Sequence, residues 1–221
     1  MKAVISGYGR MGHMVEKKLA EHGIELVLAS EDIQAVDPAL AKQCVCIDFT
    51  TPDAFRANYG FIAASFKAAV IGTTGWNDIA AEVIAEFERQ GTPMIYASNF
   101  SIGVNALFAA VEKAAGVLKG HGYTPQISET HHIHKLDAPS GTAKSLGALV
   151  SRALGAEAQI ESFRIGEVPG IHTVEFSSSD DKLTFTHEAF SREGLAEGAV
   201  VAAEMTESLH GVHEFKDLII C

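Results

Sequence analysis

Cysteine, long apolar runs and positive charge are all scarce in this sequence of 221 residues. Its three cysteines, Cys44, Cys46 and Cys221, do not form a disulfide framework, and we expect buried, reduced thiols. No segment approaches the roughly 20 consecutive apolar residues that a membrane span requires. The first residues pass directly from a strand into a glycine-rich turn, where a signal peptide would place a longer apolar stretch. We therefore expect a cytoplasmic protein without a membrane partner.

The shortage of positive charge narrows the class of partner. Lysine and arginine total 17 against 28 aspartates and glutamates, which gives a formal net charge of −11. Nucleic acids and anionic membranes are bound by basic surfaces, so neither is an expected partner. An anionic substrate would instead need a local cationic pocket within an acidic protein.

Strand and helix patterns alternate through the first hundred residues. Short apolar runs at 1–6, 24–29, 45–49, 68–71 and 93–97 predict strands, and amphipathic stretches such as 79–90 predict the helices between them. This order is typical of a Rossmann-like, doubly wound parallel sheet. After residue 99 a long apolar helix is predicted at 103–118. Strand patterns then dominate around a helix that starts at Ser140, and a last helix is predicted at 198–209. This pattern predicts a second, α+β domain with an open mixed sheet.

The turn after the first strand has the pattern G-x-G-x-x-G, formed by Gly7, Tyr8, Gly9, Arg10, Met11 and Gly12. In such a turn the first glycine permits a sharp bend and the second lets the backbone approach a pyrophosphate. The third allows close packing of helix on strand. The free N–H groups at the start of the following helix favour an anion. This pattern predicts a dinucleotide site.

Three further segments lie where a dinucleotide would extend. Glu31 follows the second strand and can bind the ribose 2′-hydroxyl, although a solvated loop carboxylate is the alternative. Asp32 follows it, which favours NADH over NADPH. The loops after the fourth and fifth strands are candidate cofactor contacts, with an ordinary turn and helix capping as their alternatives. They comprise Gly72, Thr73 and Thr74, and Ser98, Asn99, Phe100 and Ser101.

The segment E-T-H-H-I-H-K-L-D-A-P-S-G-T at 129–142 concentrates reactive side chains. Histidine suits proton transfer near neutral pH, and Lys135 offers a cation for a carboxylate. Ser140, Gly141 and Thr142 begin a helix, whose free N–H groups form an anion site. A zinc site and a solvated polar loop are the alternatives. Zinc is disfavoured because a lysine adjoins the histidines and no ligand set is complete, so we predict no metal.

Taken together, these and other segments of the chain resemble those of 4-hydroxy-tetrahydrodipicolinate reductase. The residues that carry the resemblance are GYGRMG at 7–12, DFT at 48–50, GTTGW at 72–76, SNFSIGVN at 98–105, ETHHIHKLDAPSGTA at 129–143, RIGEVPGIHT at 164–173 and SREGLAEGAV at 191–200. The 129–143 block is the family's signature. The resemblance covers essentially the whole chain.

The resemblance implies an activity, residue roles and an assembly. It implies reduction of 4-hydroxy-tetrahydrodipicolinate by NADH or NADPH, with loss of water, in lysine and diaminopimelate biosynthesis. His131 would be the catalytic proton donor or acceptor, and Lys135 a second proton donor and carboxylate contact. His132, Gly141 and Thr142 would be substrate contacts. The segments 7–12, 72–74 and 98–101 would bind the cofactor. Residues 1–98 and about 205–221 would form the dinucleotide-binding domain, and 99–204 the substrate-binding and oligomerisation domain of a homotetramer.

Two departures from the family pattern concern the cofactor. The glycine-rich turn is one residue shorter than in many members, and Asp32 stands where many have an arginine suited to a 2′-phosphate. Both leave the choice between NADH and NADPH open, with NADH favoured. Another imine or amino-acid dehydrogenase of the same architecture is an alternative function. A non-enzymatic NAD-sensing module is a second alternative, but it would not need the histidine and lysine cluster.

Overall fold

The computed structural model describes residues 1–219, so Ile220 and Cys221, the end of the predicted 205–221 segment, lie outside the described residues. The chain divides into two compact units, one formed by residues 1–101 and the chain from Glu193 onward, the other by Ile102–Arg192. None of the helices within residues 1–219 is both long and apolar enough to cross a membrane.

The first unit alternates strands and helices. In chain order its elements are β1 (Lys2–Ser6), α1 (Arg10–Glu21), β2 (Glu25–Ser30), α2 (Pro38–Ala41), β3 (Cys44–Asp48), α3 (Pro52–Ser65), β4 (Ala68–Ile71), α4 (Ala80–Gln90) and β5 (Met94–Tyr96). Local chemistry sets several boundaries. The Thr51 side chain accepts a hydrogen bond from the Ala54 N–H and Pro52 occupies the first helical position, so both favour a start of α3 there. Gly91 ends α4 with φ +69°.

The second unit contains α5 (Ile102–Leu118), β6 (Thr124–His131), α6 (Gly141–Leu154), β7 (Gln159–Arg164), β8 (Gly170–Ser177) and β9 (Lys182–Ala189). Its strand order is β7-β6-β8-β9, with β6 and β7 parallel and the other pairs antiparallel. The chain then returns to the first unit through α7 (Glu193–Met205), β10 (Val212–Glu214) and α8 (Phe215–Ile219).

The six strands of the first unit are all parallel, in the order β10-β5-β4-β3-β1-β2. Strands β3 and β4 are buried along their whole length because helices cover both faces of the sheet. Residues of α1 and α7 pack on one face, and those of α2, α3 and α4 on the other. The predicted doubly wound sheet is therefore confirmed. Strands β2 and β3 lie on opposite sides of β1, so the direction of winding reverses there, and such a switch point is where these sheets bind ligands.

The second unit confirms the predicted mixed sheet. Helices α5 and α6 pack on one face over a core that includes Val111, Ile127, Leu146, Val174 and Phe176. Burial alternates along β6 and β8, as expected for strands with one covered face. The covered face is apolar in its middle and becomes polar where β6 ends.

The predicted boundary near residue 205 is wrong, because helix α7 belongs to the first unit. Ala196, Ala199 and Ala203 are fully buried in the core of that unit. A side chain at Gly198 would lie 1.7 Å from the Phe100 carbonyl oxygen, so glycine there allows the helix to approach the backbone closely. The sequence showed an apolar helix but not which sheet it covers. The helix also begins at Glu193 and ends at Met205, earlier than the predicted range 198–209.

Candidate active site

The glycine-rich turn of the first unit leaves an open helix start. Gly7 adopts φ +85°, and a Cβ there would lie 2.6 Å from the Phe49 carbonyl oxygen. A Cβ at Gly12 would lie 2.5 Å from the Gly7 oxygen, whereas a Cβ at Gly9 would meet nothing within 4 Å. Gly9 precedes α1 without a side-chain cap, and the first turn carries no acidic residue. The turn therefore presents backbone N–H groups to open space, as a pyrophosphate site requires.

The two acidic residues after β2 have different surroundings. Oε1 of Glu31 accepts a hydrogen bond of 2.8 Å from the Tyr8 backbone N–H, which fixes this carboxylate beside the glycine-rich turn. Oδ1 of Asp32 accepts from the Gln34 backbone N–H at 3.2 Å and caps the short turn that follows. The hydroxyl of Tyr8 donates to Glu16. Glu31 is thus held beside the glycine-rich turn, and its ribose contact stays a prediction; the Asp32 carboxylate is the next along the chain.

The loop after β4 is organised by a buried carboxyl group that sequence reasoning missed. Asp48, at the end of β3, is fully buried and accepts hydrogen bonds from the hydroxyls of Thr73 and Thr50. Burial raises the pKa of Asp48, although the bonds from Thr73, Ser6 and Thr50 oppose this effect. The Thr73 hydroxyl also accepts from the Thr50 N–H at 2.7 Å, so it faces the protein interior.

The remaining predicted cofactor residues differ in how accessible they are. A Cβ at Gly72 would lie 2.1 Å from the Phe49 ring, so glycine there makes room for that ring. The Phe100 ring is buried and lies 5.0 Å from the Phe215 ring, which leaves only the Phe100 backbone for a ligand.

The polar candidates in these loops are less enclosed. Oδ1 of Asn99 accepts a hydrogen bond from the Ser101 N–H at 2.8 Å. Thr74 and Ser98 are exposed at the ends of β4 and β5, and Arg10 and Met11 lie in the first turn of α1.

In the second unit, the buried carboxylate of Glu129 joins several predicted site residues. Its Oε1 accepts from the Ser140 backbone N–H at 2.9 Å and from Nη2 of Arg164 at 3.2 Å. Its Oε2 lies 3.1 Å from Nδ1 of His131 and 3.9 Å from Nε2 of His172. The strand pairing explains this arrangement, because Glu129 lies opposite His172 on β8 and His131 lies opposite Arg164 on β7.

Burial and charge set the protonation states in this cluster. Burial would raise the pKa of Glu129, but hydrogen bonds from Ser140, with smaller contributions from the neighbouring Ser162 and Arg164, outweigh it and hold the pKa below its usual value. Burial lowers the pKa of His131, while the Glu129 carboxylate acts in the opposite direction. Burial, reinforced by His131, lowers the pKa of His172 to about 4. The cluster thus combines a carboxylate with histidines whose neutral forms are favoured.

The loop after β6 holds Lys135 near this cluster. Nζ of Lys135 pairs with Oδ1 of Asp137 at 2.8 Å, and the lysine side chain is 23% exposed, so it remains within reach of a ligand. Arg164 fixes the loop backbone through hydrogen bonds to the carbonyl oxygens of Lys135 and Asp137. Nε2 of His132 lies 3.0 Å from Nη2 of Arg192. His134 pairs with Glu167 at the surface and makes no contact with Glu129.

The start of α6 forms an open anion site in the same unit. Oγ of Ser140 accepts from the Ala143 N–H at 3.2 Å, and this caps the helix. The N–H groups of Gly141 and Thr142 precede the first intrahelical hydrogen bonds and point away from the helix. A Cβ at Gly141 would meet nothing within 4 Å, so the approach to these donors is open. Because Ser140 also donates its backbone N–H to Glu129, this anion site is tied to the His131 cluster.

The comparisons with known proteins cover both halves of the chain. Residues 1–100 match the family model described as "Dihydrodipicolinate reductase, N-terminus", and residues 103–219 match "Dihydrodipicolinate reductase, C-terminus". This chain belongs to the dihydrodipicolinate reductase family. The resemblance found in the sequence is therefore confirmed.

Relatives within the dihydrodipicolinate reductase family are similar over nearly their full length. The 4-hydroxy-tetrahydrodipicolinate reductase of Christiangramia forsetii is 40% identical, over 99% of this chain and 98% of the relative. That of Chromohalobacter salexigens is 35% identical, over 97% of this chain and 81% of the relative. The dipicolinate-bound dihydrodipicolinate reductase from Paenisporosarcina sp. TG-14 has the same fold, with a TM-score of 0.83 at 19% identity over 99% of both chains.

The cofactor fit and the metal alternative can be judged against this family. The open start of α1, the space at Gly9 and the carboxylate of Glu31 suit a nicotinamide dinucleotide, and the N-terminal family domain supports NAD(P)H.

The metal alternative concerns Glu129, His131 and His172, which place potential ligand atoms within 4.8 Å of one another. However, the Arg164 guanidinium already binds the carboxylate, and its charge opposes a metal dication there. We therefore interpret the cluster of Glu129, His131 and His172 as part of the polar network around Arg164. The absence of a metal stays a prediction.

Sequence reasoning named His131 and Lys135 but missed the groups that hold them. Glu129 opens the signature segment and stands two positions before His131, a spacing that places both on one face of a strand. That spacing was the available signal for Glu129. Arg164 and His172 lie on other strands of this reductase's second sheet, and only the strand register brings them to Glu129.

Proposed function

We propose that this chain reduces 4-hydroxy-tetrahydrodipicolinate with NAD(P)H, with loss of water, to tetrahydrodipicolinate in lysine and diaminopimelate biosynthesis. Family membership across both halves supports the reaction. The observation that carries the assignment to this chain is the second-unit cluster. There one buried carboxylate, that of Glu129, contacts a histidine and the start of a helix directly. Through Arg164 it is also linked to the backbone of the loop that carries Lys135.

Substrate binding is assigned to the positive groups of this cluster. One ring carboxylate would accept hydrogen bonds from the N–H groups of Gly141 and Thr142 at the start of α6, with the Ser140 hydroxyl nearby. The other would pair with Lys135, taking the place of Asp137 as partner of its ammonium group. His132 would contact the same dicarboxylate. Orienting a ring in this way typically supplies several kcal/mol of barrier lowering.

Proton transfer is assigned to His131 and Lys135. The bound dihydronicotinamide supplies a hydride to a ring carbon. As the electron pair moves to the conjugated carbon or nitrogen, His131 or Lys135 donates the proton that neutralises it. His131 suits this step because its ring is held at the end of β6 with Nδ1 facing Glu129. Its other ring nitrogen is then directed away from that carboxylate.

Cofactor binding is assigned to the first unit, with NADH preferred. The N–H groups at the start of α1, in the turn Gly7–Gly12, would bind the pyrophosphate, and Glu31 the ribose hydroxyl. The loops 72–74 and 98–101 would line the nicotinamide half. The carboxylates of Glu31 and Asp32, adjacent at the end of β2, would repel the 2′-phosphate of NADPH.

A homotetramer in the cytoplasm completes the proposal. Helices α5 and α6 cover one face of the second unit's sheet. The opposite face carries polar pairs such as Thr173 and Thr186, whose hydroxyls lie 3.1 Å apart. This face would form the contact between subunits, which makes the second unit the substrate-binding and oligomerisation domain.

The main alternative is a dehydrogenase for another imine or amino acid. Its support is at the level of fold, since an amine dehydrogenase from Mycobacterium smegmatis has a TM-score of 0.67 at 10% identity. A non-enzymatic NAD-binding module is less well supported because it would not need the Glu129 cluster.

The deciding experiment is steady-state kinetics on freshly generated 4-hydroxy-tetrahydrodipicolinate with NADH and with NADPH. We expect turnover with both cofactors, a higher kcat/KM with NADH, and inhibition by pyridine-2,6-dicarboxylate. Turnover of another imine without inhibition by this compound would support the alternative dehydrogenase. Nucleotide binding without turnover of any such substrate would support the non-enzymatic reading.

A further inference from the structure

We propose that Glu129 is the positioning residue of this active site, which orients His131, selects its tautomer and ties it to the helix and loop that bind substrate. The proposal rests on the proposed function, because it assigns the means by which His131 delivers a proton in that reaction. Glu129 itself is fully buried and acts through its neighbours.

The two carboxylate oxygens of Glu129 have separate tasks. Oε1 receives the Ser140 N–H at 2.9 Å and the Arg164 Nη2 at 3.2 Å, which links it to the start of α6 and to the Lys135 loop. Oε2 lies 3.1 Å from Nδ1 of His131, and neither of these atoms makes a hydrogen bond of good geometry with any group among residues 1–219. The contact is off the ideal direction, and catalytic hydrogen bonds commonly align when substrate binds. One side of the carboxylate is therefore structural and the other faces the proposed proton donor.

This arrangement selects one tautomer of His131. An ionised carboxylate can only accept hydrogen bonds, so His131, the nearest group to Oε2, can satisfy it only with a proton on Nδ1. The neutral ring then has its lone pair on Nε2, and the protonated ring donates from Nε2. After proton transfer from Nε2–H to substrate, the proton on Nδ1 remains with Glu129. No further proton movement within the protein is required.

A glycine lies against the Nε2 edge of the His131 ring. A Cβ at Gly170 would lie 3.1 Å from Nε2 of His131 and 3.3 Å from its Cδ2. A larger residue there would therefore press on the ring edge that carries the proton. Gly170 begins β8, next to the strand that carries His131, so the small residue is placed by the sheet register.

The charges around His131 determine how its pKa should change when the charge of Glu129 is removed. Besides Glu129, the groups facing it are Lys135, His132, Arg164 and His172. The carboxylate raises the pKa of His131, whereas Lys135, Arg164 and His132 lower it along with burial. Removing the negative charge of Glu129 should therefore lower this pKa and shift the group's loss of acid function to lower pH.

The test is the substitution Glu129→Gln, with Glu112→Gln as its control. Glutamine keeps an oxygen for Ser140 and Arg164 but turns an NH₂ group towards Nδ1, which forces the other tautomer. We expect kcat to fall by about 10- to 100-fold, less than the 10²–10⁴-fold typical of losing a general acid outright. The alkaline limb of the pH profile should move to lower pH. Glu112 is an exposed carboxylate on α5, and its replacement should change neither quantity.

A second measurement does not depend on the variant's stability. Nitrogen-15 NMR of the histidine rings in the wild-type protein should show neutral His131 protonated at Nδ1, and Glu129→Gln should show it protonated at Nε2. Glu129→Asp, which keeps the charge, should restore the wild-type tautomer and part of kcat.

The outcomes separate this inference from the proposed function. A wild-type enzyme with full turnover but with neutral His131 protonated at Nε2 would overturn the inference and leave the function intact. The same holds for a folded Glu129→Gln variant with the wild-type kcat and pH profile. Absence of turnover in the wild-type enzyme itself would refute the function instead.

Discussion

Lowering the pH should reduce the free energy of unfolding of this protein through His172. The size of the decrease follows from the surroundings of that histidine. Its side chain is almost completely buried, and burial, with the nearby His131, lowers its pKa from 6.5 to about 4. In the unfolded chain this histidine would bind a proton below about 6.5. Between 6.5 and about 4 the unfolded state therefore binds more protons than the folded state, so stability falls as pH falls.

The loss of stability is set by the difference between the pKa of His172 in the unfolded chain and its pKa in the folded protein. A difference of about 2.5 pH units at 1.36 kcal/mol per unit gives about 3 kcal/mol. The contribution is fully present above 6.5, is lost progressively down to about 4, and changes no further below that. Replacing His172 with Asn removes the titrating group but keeps a polar side chain, so the variant should lack this part of the acid loss.

The assay is urea unfolding of the wild-type protein and His172→Asn, at one protein concentration and several pH values. Between pH 6.5 and 4, the wild-type free energy of unfolding should fall by about 3 kcal/mol more than that of the variant. Above 6.5 the two curves should run parallel. An equal fall in both proteins would show that His172 is not held neutral by burial.

Four further substitutions test the chemistry and the cofactor site. His131→Ala should lower kcat by about 10²–10⁴-fold, with a smaller change in KM, and near-wild-type turnover would remove His131 from the mechanism. Asp32→Arg should raise the ratio of kcat/KM for NADPH to that for NADH, and an unchanged ratio would exclude Asp32 from cofactor choice. Gly9→Ala should weaken NADH binding in calorimetry at an unchanged melting temperature, because its Cβ meets no protein atom. Gly12→Ala should lower the melting temperature, because its Cβ would lie 2.5 Å from the Gly7 oxygen; the opposite ranking would contradict the assigned glycine roles.

Local patterns were sufficient to predict the longer elements within the first hundred residues. Fully buried strands such as β3 and β4 appear as continuous apolar runs, and the intervening helices repeat with helical spacing. Gly91 and Thr51 mark helix ends through chemistry that acts over a few residues. The short elements α2, β10 and α8 were missed because three to five residues carry too little periodicity to predict an element.

The candidate site was predictable only in part because its supporting contacts are distant in sequence. The histidines and Lys135 lie in one segment, so their chemistry could be recognised together. The bond from Arg164 to Glu129 joins residues 35 positions apart, and it exists because β6 and β7 pair in one register. A one-residue slip in that pairing would place Arg164 on the other face, and no local pattern fixes the register.

Binding of pyridine-2,6-dicarboxylate, measured by calorimetry in the presence of NADH, tests most directly whether the Lys135 and α6 cluster is the substrate site. The wild-type protein should bind this planar dicarboxylate. Lys135→Met, which keeps the chain length and removes the charge, should bind it about 10- to 100-fold more weakly, as expected for losing one hydrogen bond to a charged group. Equal affinity of the two proteins, or no binding to the wild type, would contradict the account.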